Sequence, residues 1–273
     1  MAALVSAESE VVPFIKWAGG KRWLVSAYPG VFPGSFRHYI EPFLGSGAVF
    51  FHLSPSVAHL SDLNPELVNA FNVLKTDWKK LRRLLEQHQS KHSEQHYYEV
   101  RAWSGLDGVA AAARFIYLNR TCWNGLYRVN KGGKFNVPKG SRSSVLLRTD
   151  DFQAIAARLA KATIEVSDFE QSIENALEGD LVFVDPPYTV KHNLNGFVKY
   201  NDQIFSWEDQ IRLSRAIVRA KRRGAIVVMT NANHQSIRDL YKDDFRLRAV
   251  KRATSLAADS TARGETSELL ITT

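Results

Sequence analysis

A short stretch in the second half of the chain, residues 181–188, constrains the fold more than any other. Leu181–Val184 is a run of four apolar residues, mostly β-branched or aromatic, which is typical of a strand buried on both faces of a parallel sheet. The run ends abruptly, because Pro186 and Pro187 cannot donate to a strand ladder and each fixes its own φ. The pattern therefore predicts that Asp185 stands at the carboxyl end of a central strand, where open α/β sheets place their ligands.

The residues that follow this strand suit the binding of a planar amine. The carboxylate of Asp185 and the backbone carbonyls of Pro186 and Pro187 can accept hydrogen bonds from N–H groups, while Tyr188 offers a flat ring beside them. A plain strand-ending turn with a capping aspartate explains these four residues about equally well. The choice between the two interpretations therefore depends on the rest of the chain.

Composition favours some partners and excludes some kinds of site. Among 273 residues, 36 Lys and Arg stand against 28 Asp and Glu, so the net charge is +8 and favours a polyanionic partner. A single cysteine, Cys122, excludes an internal disulfide and a multi-cysteine zinc site. It lies in an apolar segment, so we expect a buried structural thiol. We expect no metal site and no obligate protein partner.

The sequence gives no sign of a membrane protein. No apolar run approaches the ~18 residues of a spanning helix, and Met1–Glu10 lacks the basic flank of a signal peptide. We therefore expect a cytoplasmic protein, associated with the nucleoid if the polyanionic partner is DNA.

Two glycine turns lie in the first fifty residues. Gly19-Gly20 precedes a predicted helix and lets the backbone approach a ligand closely, with Lys21 at the start of that helix. Gly45-Ser46-Gly47 joins a predicted strand, 38–43, to a predicted helix, 48–53, as at the nucleotide sites of α/β sheets. Neither turn matches G-x-G-x-x-G and no Walker lysine follows, so a phosphate cradle is poorly supported.

Acidic side chains come at the ends of two further predicted strands. Strand 57–63 ends at Asp62, where a carboxylate is placed to accept from the ribose hydroxyls of an adenosine moiety; helix capping is the alternative. Strand 163–166 is followed by Asp168 and Phe169, which can take an adenine amine and stack on its ring.

The remaining pattern is helical in the middle of the chain and mixed toward its end. Apolar residues at helical spacing predict almost continuous helix over 65–120. The later predicted elements are a helix capped by Thr149-Asp150, a helix from the capping box Ser206–Asp209 to Gly224, a buried strand 225–230, and a final antiparallel pair, 245–251 and 268–273.

Residues 119–140 predict a β-hairpin that binds nucleic acid. Asn130–Gly133 has the residues of a tight turn and lies between two short segments in which apolar and polar residues alternate. Beside it stand Trp123, Asn124, Tyr127 and Arg128. Such a set supplies guanine contacts, adenine contacts and wedging rings to DNA. An ordinary exposed hairpin rarely needs all of them together.

Taken together, six ordered motifs resemble those of the Dam-type DNA adenine-N6 methyltransferases, the α group or D12 class. They are Lys16-Trp17-Ala18-Gly19-Gly20-Lys21, Glu41-Pro42-Phe43-Leu44-Gly45-Ser46-Gly47, Asp62-Leu63-Asn64, Asn124-Gly125-Leu126-Tyr127-Arg128, Phe135-Asn136-Val137-Pro138 and Asp185-Pro186-Pro187-Tyr188. The match in order and approximate spacing runs from about residue 14 to the C-terminus.

The resemblance implies an α/β fold, a Rossmann-like sheet of the S-adenosylmethionine-dependent methyltransferases. It also implies an inserted, mostly helical target-recognition domain that carries the hairpin. We expect residues 1–65 and 148–273 to form the catalytic domain and residues 66–147 to form the insert, which binds DNA.

The resemblance further implies S-adenosylmethionine as methyl donor and a flipped adenine of double-stranded DNA as acceptor, within a GATC-like site. The implied cofactor contacts are Trp17, Lys21, Glu41, Phe43, Gly45, Gly47, Asp62, Asp168, Phe169 and Asp185. The implied catalytic residues are Asp185, Pro186, Pro187 and Tyr188, with Tyr188 stacking on the adenine. The implied DNA contacts are Lys16, Trp123, Asn124, Leu126, Arg128, Asn136 and Pro138, with Arg128 reading a guanine.

Other interpretations stay open at this point. The nearest is an amino-methyltransferase that acts on cytosine N4, RNA or a glutamine side chain. A DNA-binding module that has lost catalysis is the second, and a dinucleotide oxidoreductase, weakened by the missing fingerprint, is the third. After Pro138, the members of this family that methylate GATC often carry further basic and aromatic residues, whereas this chain has Lys139–Val145. The identity of the later bases of the recognition site therefore stays open. A solitary, restriction-paired or phage role also stays open.

Overall fold

The computed structural model of the chain describes residues 11–130, 132–191, 205–253 and 265–273. The chain divides into two compact units. The first unit comprises Met1–Val25, Gly45–Ser54 and Asn64–Ile164, and the second comprises Ser26–Leu44, Pro55–Leu63 and Glu165–Thr273. The predicted division into a catalytic domain and an insert over 66–147 stays a prediction.

Helices and strands alternate in the second half of the chain. The helices are α1 (Arg22–Ala27), α2 (Ala48–Leu53), α3 (Pro65–Lys91), α4 (Glu94–Ala102), α5 (Gly108–Thr121), α6 (Phe152–Leu159), α7 (Phe169–Glu174), α8 (Trp207–Arg222) and α9 (Gln235–Tyr241), with 3₁₀ turns at Pro29–Val31 and Trp123–Gly125. The strands are β1 (Tyr39–Glu41), β2 (Ala58–Asp62), β3 (Ala162–Val166), β4 (Leu181–Val184), β5 (Ile226–Ala232), β6 (Arg246–Ala253) and β7 (Glu265–Thr272).

These strands form one sheet in the order β3-β2-β1-β4-β5-β7-β6. β4 is central: Leu181 pairs with Tyr39 of β1 on one side and with Ile226 of β5 on the other, both in parallel. All four residues of β4 are buried, which confirms the strand predicted from its continuous apolar run. β7 runs antiparallel to β5 and to β6, so the final antiparallel pair is also confirmed.

The core of the second unit lies against β4 and β5. α8 begins with the predicted capping box, in which Ser206 and Asp209 bond each other's backbone N–H groups. It buries Leu213, Ile217 and Ala220 in the same cluster as the apolar residues of the central strands. The chain leaves α8 through Gly224, whose φ of +90° suits glycine.

The helices of the first unit correct one prediction. Residues 65–120 form three helices and not one nearly continuous helix. α4 starts afresh because the Ser93 hydroxyl caps it by accepting from the His96 N–H at 3.1 Å. α4 ends at Ala102 because Trp103 is extended, with a ψ of 141°, and in the loop before α5 Gly105 has a φ of +69°.

The cap of α6 differs from the prediction as well. The capping side chain is Asp151, which accepts from the Ala154 N–H at 2.9 Å, and not Thr149-Asp150. Asp150 is engaged elsewhere: its carboxylate pairs with the guanidinium of Arg120 at 2.5 and 2.7 Å. Both side chains are almost fully buried, so each charge needs the other.

The predicted hairpin of the first unit is present as two antiparallel bridges, Val129 with Phe135 and Cys122 with Lys139. The Asn130 side chain closes its turn by accepting from the N–H groups of Gly132 and Lys134, each at 3.0 Å. Position 131 of this turn lies outside the described residues, as do residues 1–10, for which no signal peptide is predicted. In the part of the chain that the structure describes, no helix is long and apolar enough to cross a membrane.

Candidate active site at the carboxyl edge of the sheet

Asp185 lies at the carboxyl end of the central strand, as the apolar run predicted. β4 ends at Val184, which pairs with Met229 of β5. Asp185 follows Val184 and Thr230 follows Met229. The fully buried Thr230 hydroxyl donates to Asp185 Oδ1 at 2.7 Å. The buried strand β4 is therefore followed by a carboxylate that a hydrogen bond from the neighbouring strand β5 orients.

Tyr188, at the other end of the motif, is held by an acid from a different strand. Its hydroxyl donates to Glu268 Oε2 of β7 at 2.5 Å, and Glu268 Oε1 accepts from Arg252 Nη1 of β6 at 2.7 Å. Burial, followed by the negative charges of Asp185 and Glu268, holds the pKa of Tyr188 well above its ordinary value, and a hydrogen bond with Thr230 opposes this shift. The phenol is therefore neutral and acts as a donor.

Asp62 ends β2, as predicted, and is half-buried. The capping interpretation does not hold for it, because α3 is capped by Asn64, whose side chain accepts from the N–H groups of Glu66 and Leu67 at 3.0 and 3.2 Å. Next to it in sequence, Ser61 is linked to Ser172 of α7 through their hydroxyls at 2.6 Å. This bond keeps α7 near the end of β2.

Asp168 caps α7 by accepting from the Glu170 N–H at 2.9 Å. Its carboxylate also forms a two-pronged ion pair with Arg212 of α8, at 3.1 and 2.9 Å. The Arg212 guanidinium lies 4.3 Å from the centre of the Phe169 ring. The carboxylate predicted for an adenine amine is thus engaged by an arginine in this structure.

Three aromatic rings cluster at the same edge. Phe43 stacks on Phe169 with 5.5 Å between ring centres and 21° between planes, and Phe205 meets both rings edge-on or tilted. Phe169 is buried, whereas Phe43 is half-buried. Glu41, two residues before Phe43, is also buried and accepts from the Tyr39 hydroxyl at 2.9 Å.

In the first unit, the two glycine-containing motifs meet. Gly45 has a φ of +49°, and a Cβ there would lie 2.9 Å from Cδ1 of the Trp17 ring, so the close approach requires glycine. Trp17 also stacks on Tyr127, with 5.8 Å between ring centres. Lys21 is buried, and its ammonium donates to the Gly19 carbonyl at 2.7 Å. Gly47 has a φ of +66° and precedes α2.

Most of the residues predicted to contact DNA lie at the surface of the first unit. Trp123 is 52% exposed, and Asn124 beside it has a φ of +55°. On the hairpin, Arg128 Nε donates to Asn136 Oδ1 at 3.1 Å, and both side chains are exposed. Pro138 is exposed and Leu126 is half-buried.

Three other residues of this region are more enclosed. Lys16 is half-buried, and burial together with the charges of Arg142 and Arg22 lowers its pKa. Tyr127 packs inside the first unit with its hydroxyl bonded to Glu66, so its ring is structural there. Cys122 is buried, as predicted, and burial raises the pKa of its thiol to about 11. Within the described ranges, no group of three or more His, Cys, Asp or Glu side chains could hold a metal ion.

Comparison with known proteins identifies the family. Residues 17–256 match the family model described as D12 class N6 adenine-specific DNA methyltransferase. The chain belongs to this family. It is 35% identical to the type II methyltransferase M1.LlaDCHI of Lactococcus lactis subsp. cremoris over 95% of this chain and 94% of that protein.

Two further relatives are the type II methyltransferase M.MjaIII of Methanocaldococcus jannaschii, 33% identical over 93% of this chain and 96% of the relative, and the DNA adenine methylase of Vibrio cholerae, 30% identical over 94% of each. Membership of the D12 class confirms the resemblance read from the six motifs. It also confirms the methyltransferase sheet and the class of reaction, adenine-specific methylation of DNA.

Sequence reasoning about this D12-class chain missed the partners of the predicted site residues. Thr230 bonds Asp185, Glu268 bonds Tyr188, and Arg252 bonds Glu268. Arg212 pairs with Asp168, and Phe205 packs against Phe43. A signal existed for two of them. Thr230 is a polar residue in a strand of buried apolar residues, next to the motif strand, and Glu268 is an acid that precedes the apolar run Leu269–Ile271. The contacts of the other three depend on tertiary packing alone.

Proposed function

We propose that this protein transfers the methyl group of S-adenosylmethionine to the N6 amine of an adenine in double-stranded DNA, and that Asp185–Tyr188 carries out the chemistry. The observation that carries the proposal is the fixed carboxylate at the end of the central strand, held by Thr230 at 2.7 Å. A carboxylate that only capped a turn would not need a buried hydroxyl from the next strand.

The chain's own groups act on the amine. The N6 lone pair is delocalised into the adenine ring, so the amine is a poor nucleophile. Asp185 and the Pro186 carbonyl accept hydrogen bonds from its two N–H groups, which draws the nitrogen toward tetrahedral geometry and localises the lone pair. In the transfer, a bond forms between N6 and the methyl carbon as the carbon–sulfur bond breaks. The Asp185 carboxylate stands beside the proton that N6 then releases. Positioning and electrostatics carry the rate.

The residues present fit the cofactor. S-adenosylmethionine, when bound, supplies an electrophilic methyl group on a sulfonium sulfur. In the second unit, the Asp62 carboxylate at a strand end suits the ribose hydroxyls, and the half-buried ring of Phe43 suits the adenine. We assign Asp168 and Phe169 to the same end of the cofactor, with Phe169 as the ring that supports Phe43. The resemblance also implied Glu41 of the second unit. In the first unit, the cradle of Trp17, Lys21, Gly45 and Gly47 allows a close backbone approach.

The substrate assignment rests on the surface of the first unit and on the family. Arg128, supported by Asn136 on the hairpin, is proposed to read a guanine in the major groove of a GATC-like site. The exposed Trp123 and Asn124 are proposed to enter the duplex beside the flipped adenine. Leu126, Pro138 and Lys16 are proposed as further contacts. With a DNA substrate, the proposed location is the cytoplasm, with the nucleoid. The type II relatives favour a role in restriction and modification.

Replacing Asp185 by alanine tests the proposal. Asp185→Ala should abolish methyl transfer and leave both a cooperative melt and DNA binding, because the side chain serves the chemistry and is not needed for folding. The measurement is N6-methyladenine in digested plasmid DNA by mass spectrometry. Asp239→Asn is the matched control, since it removes an exposed carboxylate of the same unit that bonds Lys242 and Gln235 at 3.2 and 3.0 Å. A folded Asp185→Ala protein that still methylates adenine would refute the proposal.

A further inference from the structure

We propose that Glu268 is a positioning residue for Tyr188 and that Arg252 holds Glu268 in place. The inference rests on the proposed function, because Tyr188 belongs to the motif assigned to catalysis. Neither Glu268 nor Arg252 lies within any of the six motifs that resemble the family.

Glu268 is a buried acid that directly precedes the apolar residues of β7. It lies on β7, paired with Ala232 of β5 and Val250 of β6, and is only 4% exposed. The three residues after it, Leu269–Ile271, are buried and apolar. A carboxylate in such surroundings is costly unless opposite charge and hydrogen bonds compensate it.

The compensation comes from two sides. Arg252 Nη1 donates to Glu268 Oε1 at 2.7 Å, and its side chain is 16% exposed. Because Arg252 lies two residues beyond Val250, the register partner of Glu268, the two side chains share one face of the β6–β7 pair. The arginine therefore supplies the counter-charge, while the second carboxylate oxygen faces Tyr188.

The second oxygen fixes the ring of Tyr188. Glu268 Oε2 accepts from the Tyr188 hydroxyl at 2.5 Å, and the neutral phenol remains a donor because its pKa is raised. The backbone after Pro187 holds one end of the ring and Glu268 holds the other, so rotation of the ring is restricted. A ring that stacks on an extruded base works best when its plane is set before the base arrives.

The same contacts mean that the antiparallel strands β6 and β7 help to orient the Asp-Pro-Pro-Tyr motif. Asp185 follows β4 and is held by Thr230 of β5, while Tyr188 is held by Glu268 of β7 and Arg252 of β6. Four neighbouring strands of the second unit thus contribute to the orientation of the Asp-Pro-Pro-Tyr motif.

A double-mutant cycle tests the inference. Single-turnover methyl transfer to unmethylated plasmid DNA, at saturating DNA and S-adenosylmethionine, is compared for the wild type, Glu268→Gln, Tyr188→Phe and the double variant. Glu268→Gln should slow transfer about tenfold, as expected for loss of a hydrogen bond to a charged group. In the Tyr188→Phe background the same change should cost no more than about twofold, because the hydroxyl through which it acts is gone.

Two controls separate positioning from a structural role. Glu174→Gln removes a carboxylate of the same unit that pairs with Arg219 and Arg223 and should leave the rate unchanged. Glu268→Asp keeps the charge opposite Arg252 but withdraws the oxygen from Tyr188. It should slow transfer with the same dependence on the Tyr188 hydroxyl, and it takes the place of Glu268→Gln in the cycle if that variant fails to fold.

The results separate this inference from the proposed function. If the Glu268 variants transfer at the wild-type rate, or slow transfer by the same factor with and without the Tyr188 hydroxyl, Glu268 does not act through Tyr188 and the inference is overturned. If the wild-type protein forms no N6-methyladenine at all, the proposed function fails instead.

Discussion

At the scale of single residues, the Asp-Pro-Pro-Tyr motif depends on partners outside it. Asp185 and Tyr188 are visible in the sequence, but their orientation comes from Thr230 and Glu268, whose side chains bond them at 2.7 and 2.5 Å. Thr230 lies on β5, next to β4, and Glu268 lies on β7, the next strand beyond β5. The motif is therefore an arrangement of the sheet edge and not only of the loop that follows β4.

The Thr230 hydroxyl can be removed with little change of shape. Thr230→Val replaces the donor to Asp185 by a methyl group, and loss of a hydrogen bond to a charged group is worth about 1.5–3 kcal/mol, so single-turnover methyl transfer should slow about tenfold or more. Thr230→Ser should restore most of the rate, since it returns the hydroxyl. A Thr230→Val protein as fast as the wild type would show that Asp185 needs no orientation from β5.

Substitution of Arg128 distinguishes a side chain that recognises a base from one that only contributes positive charge. Its guanidinium can bridge O6 and N7 of guanine, a contact worth about 1–3 kcal/mol against a wrong base, whereas lysine keeps the charge and loses the fork. Arg128→Lys should therefore flatten the preference at one guanine with little loss of non-specific affinity. The measurement is the methylation rate on duplexes varied one base pair at a time.

Lys134→Ala, which removes an exposed charge from the same hairpin, should weaken binding to all duplexes alike. If Arg128→Lys also slows every duplex equally, Arg128 contacts a phosphate and does not read a base.

At the scale of elements, a histidine cluster joins three helices of the first unit. His88 of α3 bonds His96 of α4 at 3.0 Å between ring nitrogens and stacks on Tyr117 of α5 with 4.7 Å between ring centres. His92, in the turn between α3 and α4, bonds the Tyr117 hydroxyl at 2.9 Å. Burial is the largest cause that lowers the pKa of all three histidines, and positive neighbours add to it.

This cluster predicts acid sensitivity. The pKa of His88 falls from 6.5 to about 4 on burial, with the charges of His96 and Lys91 acting in the same direction. Between these two values the unfolded chain binds the proton and the folded chain does not, so stability present above the unfolded pKa is lost as pH falls. The melting temperature should therefore drop as pH goes from about 6.5 to about 4.

His88→Phe keeps a ring against Tyr117 and removes the titrating group, so its melting temperature should depend less on pH in this range. His52→Gln removes an exposed histidine of the same unit and should leave the pH dependence as it is. Equal pH dependence in His88→Phe and the wild type would contradict the account.

Local patterns predicted the elements well and their tertiary partners poorly. β4 and α2 are found where the apolar runs and glycine turns indicated, because strand burial and helix entry are set by neighbours in sequence. The break between α3 and α4 was not predicted, since Ser93 reads equally well as a solvated helix residue or as a cap. The pairing of Asp168 with Arg212 joins residues far apart in sequence, which no local pattern reveals.

At the scale of the whole molecule, family membership and charge agree on the substrate. The family model covers residues 17–256, and the net charge of +8 favours a polyanion. The first unit combines three separate segments of the chain. Periodicity identifies elements, but it does not say which distant segments pack together.

Direct identification of the product tests the central claim. Plasmid DNA is isolated from cells that lack other adenine methylation and express either the wild-type protein or Asp185→Ala, and is read by single-molecule sequencing. The account predicts N6-methyladenine at one short, guanine-containing site with the wild type and none with Asp185→Ala. Folded wild-type protein that leaves adenine unmodified, or that produces N4-methylcytosine instead, would contradict it.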